Sequence, residues 1–600
     1  MPSFAGALHG RSSSAEFPSY DCVPGQPCWP SVSEWEALNK TVSGHLQKTV
    51  MLASPCFPSS PNYNNMTCAY IKANYSNGDF REQHYGAMAY TEWETCGVAN
   101  CLPSVLAPQS GTCSLGRMSA YYVDAESPTD VQATLNFVRE HNIRLIIKNT
   151  GHDFLGRSSA ANTLALRTAN LKALQYQANF TAKNCPTANT PNVGIMGAGV
   201  VAHEAVNYFL TYDMDVTVGA CPTVGIAGGF GQSGGHGVFG PSYGLMVDQA
   251  VEYDVVTADG VLRTINECND PDLFWSMRGG GGGTFAVLLA YKFKVYPKKA
   301  IAMYTFRVDI SDTSVPSNTT NSTILRDTLK ALASNQTTWS NNGMAGYDFL
   351  YYNSIETHQM LPGNGDVMGR LRNLTAQWES FVSNYPGYEV IQNNYTLFEN
   401  QSAYEVGTAD IIARNNRVGL GALPASRFVP HSQFATEGNI DTLVGGILQG
   451  MDNARQLNIS DDRIAFGLYK VTPANTPDTE NATSANPGWR TALWHVIVDG
   501  GWEQGFSTEE INAVQSYVRK GLDGLSSVLP EQACYTNEAD YGEENWQSVF
   551  FGDRYERLLS IKKRYDPTTL FNCWKCVGWL GEENRMYSCY GNNPQPSISI

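Results

Sequence analysis

No apolar run in the sequence approaches the roughly 20 residues that span a bilayer, so a transmembrane helix has no candidate. Positive charge is short: 40 Lys and Arg face 56 Asp and Glu, a net charge of -16. That balance argues against nucleic acid and against an anionic membrane as partner. Charged residues make up only 16% of the chain against 42% hydrophobic ones, as in an ordinary globular enzyme. The first residues, MPSFAGALHGRSSS, lack the apolar core of a secretory signal, and the expectation is a mature chain from which one has been removed. Histidine is scarce too, ten in 600 residues, so one set in a distinctive turn stands out.

Cysteine, by contrast, is plentiful. Seven of the fourteen fall within 1–118 (Cys22, Cys28, Cys56, Cys68, Cys96, Cys101 and Cys113), in a stretch rich in Pro, Ser and Asn. Zinc is the rival to disulfides there, but no CxxC pair with matching histidines accompanies them, and no metal site is expected. Twelve N-x-S/T sequons occur, at Asn39, Asn65, Asn74, Asn179, Asn318, Asn321, Asn335, Asn373, Asn394, Asn400, Asn458 and Asn481. With the cysteines they point to a secreted, N-glycosylated protein.

Six hundred residues are too many for one core, so several domains are expected. After the cysteine-rich lead-in, 1–118, the texture changes to β-α-β. AYYVD reads as a strand, and Ser127-Pro128-Thr129-Asp130 opens a helix with Val131, Leu135 and Val138 on one face. IRLIIK (143–148) reads as a buried strand running into Asn149-Thr150-Gly151-His152-Asp153, where α/β proteins place ligand-binding groups. VGIMGAGVVAHEAV (193–206) mimics a dinucleotide fingerprint, Gly197-x-Gly199-x-x-Ala202. No strand ends in an acid about 20 positions on, so its glycines are read as strand-to-helix packing. Residues 300–530 differ in kind, with amphipathic helices near 323–334 and 367–383 and strands at 464–470 and 492–500. The end, 534–573, returns to helix, with Tyr555, Leu558, Leu559 and Ile561 as its core side, and is expected to fold back onto the first domain.

The densest signal is 220–249, ACPTVGIAGGFGQSGGHGVFGPSYGLMVDQ, with nine glycines and one cysteine beside a proline. Glycine at this density belongs where backbone lies close against something. One reading is a tight turn region in a β-rich core; the other is a cradle for a large flat cofactor carrying a diphosphate. A second run, Gly279 to Gly283, lies between Trp275 and Phe285 and is read the same way.

Four segments then carry a resemblance: NTGHDFLGRSS (149–159), CPTVGIAGG…GGHG…YGLMVDQ (221–249), DLFWSMRGGGGGTFAV (272–287) and Y-x-N-E-A-D…RL-x-x-IK-x-x-YDP-x-x-LF (535–571). The chain resembles the fungal secreted branch of berberine-bridge-enzyme-like flavoproteins in the vanillyl-alcohol-oxidase (VAO/PCMH) superfamily. The lead-in and the tail with Cys573-x-x-Cys576 are similar to its isoamyl-alcohol-oxidase-like and 6-hydroxynicotine-oxidase-like members. The resemblance implies an α+β, two-domain VAO/PCMH-type fold. Its FAD-binding domain would be 119–304, completed by a C-terminal segment, 531–600, with a substrate-binding domain of antiparallel sheet and helices, 305–530, inserted between.

It further implies FAD held by two covalent links, His152 to the flavin 8α-methyl and Cys221 to C6. The loop Asn149, Thr150, Gly151, Asp153, Gly156, Arg157 and Ser158 would cradle the diphosphate. Pro222, Thr223, Val224, Gly225, Gly228, Gly229, Gly234, Gly235 and Val247 would line the cofactor's other side, with Asn572 at the flavin ring. With Cys221 consumed, at least one more cysteine is left unpaired; Cys185 or Cys268 is expected. Val224 occupies the oxygen-gating position and leaves room there, so an oxidase is expected, taking a small alcohol, a carbohydrate or a secondary metabolite with O2 and acting as a monomer. Tyr535 matches the family's catalytic tyrosine, and Asn537 would orient it. Glu538 replaces the second tyrosine of Y-x-N-Y, which weakens transfer of a sugar substrate. His495 is either a base facing the flavin or an ordinary strand histidine. A biosynthetic cyclase or dehydrogenase, and a low-turnover flavin-carrying binding protein, are the competing functions.

Overall fold

The computed structural model describes residues 20–95, 101–103, 111–186, 189–310, 319–415, 417–455, 464–476, 481–581 and 590. Four short strands form the first sheet: Leu46–Lys48 (β1), Tyr121–Asp124 (β2), Leu145–Lys148 (β3) and Leu164–Arg167 (β4), in the order β1-β2-β4-β3. β2, β4 and β3 run parallel, and β1 pairs antiparallel with β2. The helix Pro128–Glu140 makes the crossover between β2 and β3. Ser127 accepts the Asp130 N–H and Asp130 accepts the Ser127 N–H, while Val131, Leu135 and Val138 are fully buried. The parallel strands thus end on one rim, where the loop after β3 leaves the sheet.

Leu174–Thr181 (β5), Asn189–Gly197 (β6), Met214–Asp215 (β7), Ala250–Thr257 (β8), Leu262–Ile265 (β9), Ala286–Lys294 (β10) and Tyr296–Pro297 (β11) follow. Five of them form an antiparallel sheet, β5-β6-β10-β8-β9, and β7 pairs with β11. The false fingerprint sits at the end of β6. A Cβ on Gly197 would meet the Leu171 carbonyl oxygen at 2.0 Å, and one on Gly199 the Ala169 carbonyl oxygen at 2.1 Å. These glycines serve packing of backbone on backbone, against the segment 168–173 between β4 and β5 and not against a helix as the strand-to-helix reading expects.

The third sheet has seven antiparallel strands: Ala300–Ile310 (β12), Ala345–Leu350 (β13), Ser354–Gly363 (β14), Tyr388–Phe398 (β15), Gly421–Pro430 (β16), Ile464–Tyr469 (β17) and Ala492–Trp502 (β18). Their order is β15-β12-β14-β13-β17-β18-β16. Successive side chains point to opposite faces of a strand. Tyr304, Phe306, Leu468, Trp494 and Val496 face one way, packing with the helices Thr323–Asn341, Val367–Asn384, Glu437–Arg455 and Thr508–Ser526. Met303, Tyr347, Phe349 and Met360 face the other way, toward Val238 and Phe239 of the preceding glycine-rich segment.

The C-terminal segment returns to the five-stranded sheet. Trp546, Phe550, Leu558 and Ile561 pack in one core with Tyr253, Phe274 and Tyr291. On the helix Tyr555–Tyr565, Leu558 and Ile561 are buried, whereas Tyr555 and Leu559 are half-buried. Buried Lys562 donates to Thr284 O at 2.6 Å and Phe571 O at 2.8 Å, tying the second glycine run to the chain's end.

Five disulfides join Cys22–Cys28, Cys56–Cys68, Cys101–Cys113, Cys185–Cys268 and Cys573–Cys576 among the described residues. Cys96 lies outside those residues. The expectation of an unpaired Cys185 or Cys268 is corrected, because the two are bonded to each other. The loop after β5 folds across the sheet, held by Asn266 Nδ2 donating to Lys183 O at 2.8 Å, and brings the sulfurs together. The free cysteines among the described residues are Cys221 and buried Cys534.

Replacing Gly199 by alanine forces its methyl into the Ala169 carbonyl, so an overpacking loss of about 1–3 kcal/mol is expected in chemical or thermal unfolding. Gly445→Ala, in open space on the helix Glu437–Arg455, is the control and is expected to lose nothing.

Candidate functional site

One large cavity lies where the three sheets meet. The loop after β3 provides its first wall, and the buried ammonium of Lys148 anchors that loop. Lys148 Nζ donates to Tyr85 O at 2.8 Å and Ala87 O at 2.5 Å, pinning the lead-in beneath the loop. Gly151, at φ +91°, accepts from the Ala89 N–H at 3.1 Å. Asp153 accepts the N–H groups of Leu155 at 3.1 Å and Ser158 at 2.6 Å, which curls the loop. Arg157 donates to Trp574 O and Lys575 O, fastening it to the C-terminal segment.

The Cys221–Gly229 turn approaches this loop at backbone contact. A Cβ on Gly225 would lie 1.8 Å from Asn149 Oδ1, one on Gly228 3.1 Å from the same carboxamide, and one on Gly282 2.9 Å from Gly229 Cα. Only glycine permits that approach. The packing brings His152 and Cys221 onto one hydroxyl: Thr223 Oγ1 lies 2.8 Å from His152 Nε2 and 3.7 Å from Cys221 Sγ. Burial, with some help from the Arg81 charge, pulls His152 down to about 4 and keeps the imidazole neutral. Burial also raises the Cys221 thiol, against the hydrogen bonds from Thr223.

Deeper in the cavity stands the Tyr535–Glu538 turn. Tyr535 Oη accepts from Asn537 Nδ2 at 2.8 Å and from the Gly235 N–H at 3.2 Å, and Asn537 Nδ2 also reaches Gly229 O at 3.0 Å. Burial and the nearby Glu538 carboxylate push Tyr535 far above its ordinary value, despite those two donors. Glu538 Oε2 lies 3.0 Å from His236 Nε2 and 3.4 Å from His495 Nδ1. Burial by itself would raise Glu538, but His236 and then His495 bring it below the usual carboxylate range. His495 is fully buried and burial pulls it down to about 3.

The cavity is lined by His152, Cys221, Asn149, Thr150, Gly151, Asp153, Arg157, Ser158, Val224, Gly225, Gly228, Gly229, Tyr535, Asn537 and Asn572. Other expected residues stand behind its wall. Gly156 packs on the Trp93 ring, and Thr223 sits beneath His152 and Cys221, next to exposed Pro222. Gly234 and Gly235 accept from the N–H groups of Val247 and Met246, which buttresses Tyr535 from the rear. His495 does not face the cavity, because the pleat of β18 aims it at His236 and Tyr535.

The structure adds residues that sequence reasoning missed. Tyr90, from the lead-in, lines the cavity, stacks on Phe154 at 4.2 Å and stands edge-on to His152. The signal for it in the sequence is the pair of aromatics in AYTEW (89–93). Tyr347, Phe349, Met360 and Tyr469 on the seven-stranded sheet's inner face, with Tyr404 from the helix Gln401–Gly407, form a largely aromatic wall. His236, within the quoted GGHG, was visible but unassigned.

The residues fit a flavin cofactor. Asn572 lines the cavity with both carboxamide atoms buried and unpaired among the described residues, and Asn149 Oδ1 is likewise unpaired. Buried amides of this kind are kept where a partner satisfies them. Comparisons with known proteins agree. Residues 119–266 match the model of the FAD binding domain, and 534–576 match "Berberine and berberine like". The FAD-linked oxidoreductase ZEB1 of Gibberella zeae is 30% identical over 581 residues, covering 95% of each chain. Among solved structures, the VAO-type flavoprotein MtVAO615 of Myceliophthora thermophila C1 matches with TM-score 0.79 and 29% identity, covering 93% of this chain and 97% of that one. Glucooligosaccharide oxidase of Acremonium strictum, whose structure is described with a 6-S-cysteinyl, 8α-N1-histidyl FAD, shares the fold at TM-score 0.59 and 19% identity, covering 77% and 92%.

His495 carries a pH prediction. Its folded value of about 3 lies below the ordinary 6.5, so the unfolded chain binds the extra proton between those values. Its contribution to stability is present above pH 6.5 and is lost as pH falls toward about 3. Unfolding temperatures measured across that range are expected to fall less steeply in His495→Gln than in the native protein.

Proposed function

The chain belongs to the berberine-bridge-enzyme-like FAD-linked oxidoreductases of the VAO type, and on that premise we propose a secreted oxidase that takes a hydride from an alcohol-bearing small molecule and passes the electrons to O2, releasing H2O2. The observation that carries the reading is the single Thr223 hydroxyl touching both His152 Nε2 and Cys221 Sγ at the head of the cavity. It supports a bicovalent attachment through His152 to the 8α-methyl and through Cys221 to C6, as described for the Acremonium strictum enzyme. With Nε2 engaged by Thr223, Nδ1 is the imidazole nitrogen left for that bond, and burial keeps it neutral, the form that can make one.

Bound FAD supplies a two-electron acceptor. The protein's share is to hold it and to present the substrate. Asn149 and Asn572 offer unpaired amide atoms to it, and the Asn149–Ser158 loop curls beside it. Val224 is a small side chain on the cavity wall, which leaves O2 room to approach. The aromatic wall of Tyr347, Phe349, Tyr404 and Tyr469 suits an alcohol that offers a flat ring face, which a secondary metabolite and a sugar both do. Five disulfides among the described residues and twelve sequons support an extracellular location.

Tryptic digestion with mass spectrometry is expected to yield a flavin-bearing mass that joins the peptides containing His152 and Cys221. Cys221→Ala is expected to keep the flavin through His152 while lowering its redox midpoint and turnover; an unchanged midpoint contradicts the role given to Cys221. Anaerobic bleaching by an alcohol panel, followed by stoichiometric H2O2 on admitting air, is expected, whereas slow reoxidation assigns a dehydrogenase instead.

A further inference from the structure

The Tyr535 hydroxyl is poorly placed to take a proton. Its oxygen has two lone pairs, and the Asn537 amide and the Gly235 N–H already donate to it. What the phenol has left is its own O–H, which can only donate. Next along the same turn, Glu538 presents a carboxylate to the cavity. Its Oε2 takes the His236 imidazole at 3.0 Å, and His495 Nδ1 approaches the same oxygen at 3.4 Å without making a hydrogen bond. Oε1 has no hydrogen bond among the described residues, so it is the oxygen open to a ligand. His236 is buried, clamped between the Trp489 and Tyr535 rings at 5.5 and 5.4 Å, which fixes the direction of its Nε2.

We propose that Glu538, oriented by His236, accepts the hydroxyl proton of the substrate, and that Tyr535 donates a hydrogen bond to hold the substrate oxygen. The assignment rests on the oxidase reading above. In the step, the O–H bond breaks and its proton passes to Glu538 Oε1. The C–H hydrogen leaves with its electron pair to the flavin, so the alcohol is oxidised to a carbonyl and the flavin is reduced by two electrons. Glu538 touches the reacting atoms; His236 is a positioning residue. His236 and then His495 hold Glu538 below the usual carboxylate range, so it is ionised at neutral pH and ready to accept, while the same shift makes it a weaker base.

Other titratable groups face Glu538. His495 and Asp499 reach it from β18, and Tyr469 from β17. Tyr347 approaches from β13, Tyr90 from the lead-in, and Tyr535 from its own turn. Asp499 is the one that titrates near neutrality, since burial pushes it up to about 7. The pH dependence therefore has to be read with Asp499→Asn alongside.

The experiment uses the flavin-loaded full chain. Infrared difference titration of native protein against Glu538→Gln reads the ionisation of that carboxylate directly, without substrate. Anaerobic stopped-flow bleaching by the fastest alcohol of a panel reads the chemistry. An ionised Glu538 at neutral pH is expected, with a loss of about 10²–10⁴-fold in the limiting rate for Glu538→Gln. A smaller loss is expected for Tyr535→Phe, together with partial rescue of Glu538→Ala by added formate. The acid limb of the rate profile is expected to persist in Asp499→Asn and to move to higher pH in His236→Gln, because the imidazole no longer favours the carboxylate.

Glu538 protonated at neutral pH overturns the proposal, as does a Glu538→Gln enzyme that reduces its flavin at the native rate. The three side chains are also close enough to hold a metal ion. Stoichiometric metal in the purified protein, lost in His236→Gln, overturns it too, since the lone pairs would then be ligands. If no alcohol bleaches the native flavin, the oxidase reading fails and takes the proton assignment with it. An ionised Glu538 with an undiminished Glu538→Gln rate refutes the proton assignment alone.

Discussion

The site depends on two loops meeting at backbone contact: Asn149–His152, leaving the parallel sheet, and Cys221–Gly229. A side chain at Gly225 would occupy the space of the Asn149 carboxamide, so the approach requires glycine. The Gly225 N–H donates to Thr150 Oγ1 at 3.4 Å across the contact, and Asn149 Nδ2 ties the first loop to Ala198 O at 2.7 Å. From that closeness follow the shared contacts of Thr223 with His152 and Cys221. A histidine and a cysteine about seventy positions apart thereby address one region of the cavity. The buried Lys148 ammonium sets the height of the first loop by gathering lead-in carbonyls beneath it.

The other wall follows from the pleat. In the seven-stranded sheet, Tyr304 and Phe306 turn to the helices while Met303 turns to the cavity, and Trp494 and Val496 face away from His495. One sheet therefore builds a hydrophobic core and a cavity wall from alternating positions. The lead-in joins these halves. The Thr91 N–H donates to Leu420 O at 3.0 Å, and Glu92 accepts from the Ala422 N–H at 3.3 Å. The same segment delivers Tyr90 to the cavity. A region that reads as a stapled prelude is thus part of the site.

Local features were legible because their causes are local. Ser127 and Asp130 cap their helix, Gly197 and Gly199 pack backbone, and the motif around His152 leaves the strand where an α/β crevice opens. What stayed hidden depends on distant pairing. The Cys185–Cys268 bond spans 83 positions, and no periodicity reports the fold of the loop that closes it. His236 and Glu538 lie 302 positions apart, and neither stands out alone: one is a histidine among glycines, the other a departure from a tyrosine. Gly234, Gly235 and Val247 belong to the same motif as Gly225 and Gly228, yet they turn behind Tyr535. A motif marks a segment, not which of its faces meets the ligand.

We propose that His152 and Cys221 anchor one redox ring permanently in the cavity. Acid precipitation of the purified protein tests it most directly. The account predicts a yellow pellet and a colourless supernatant; a white pellet with the pigment left in solution contradicts it.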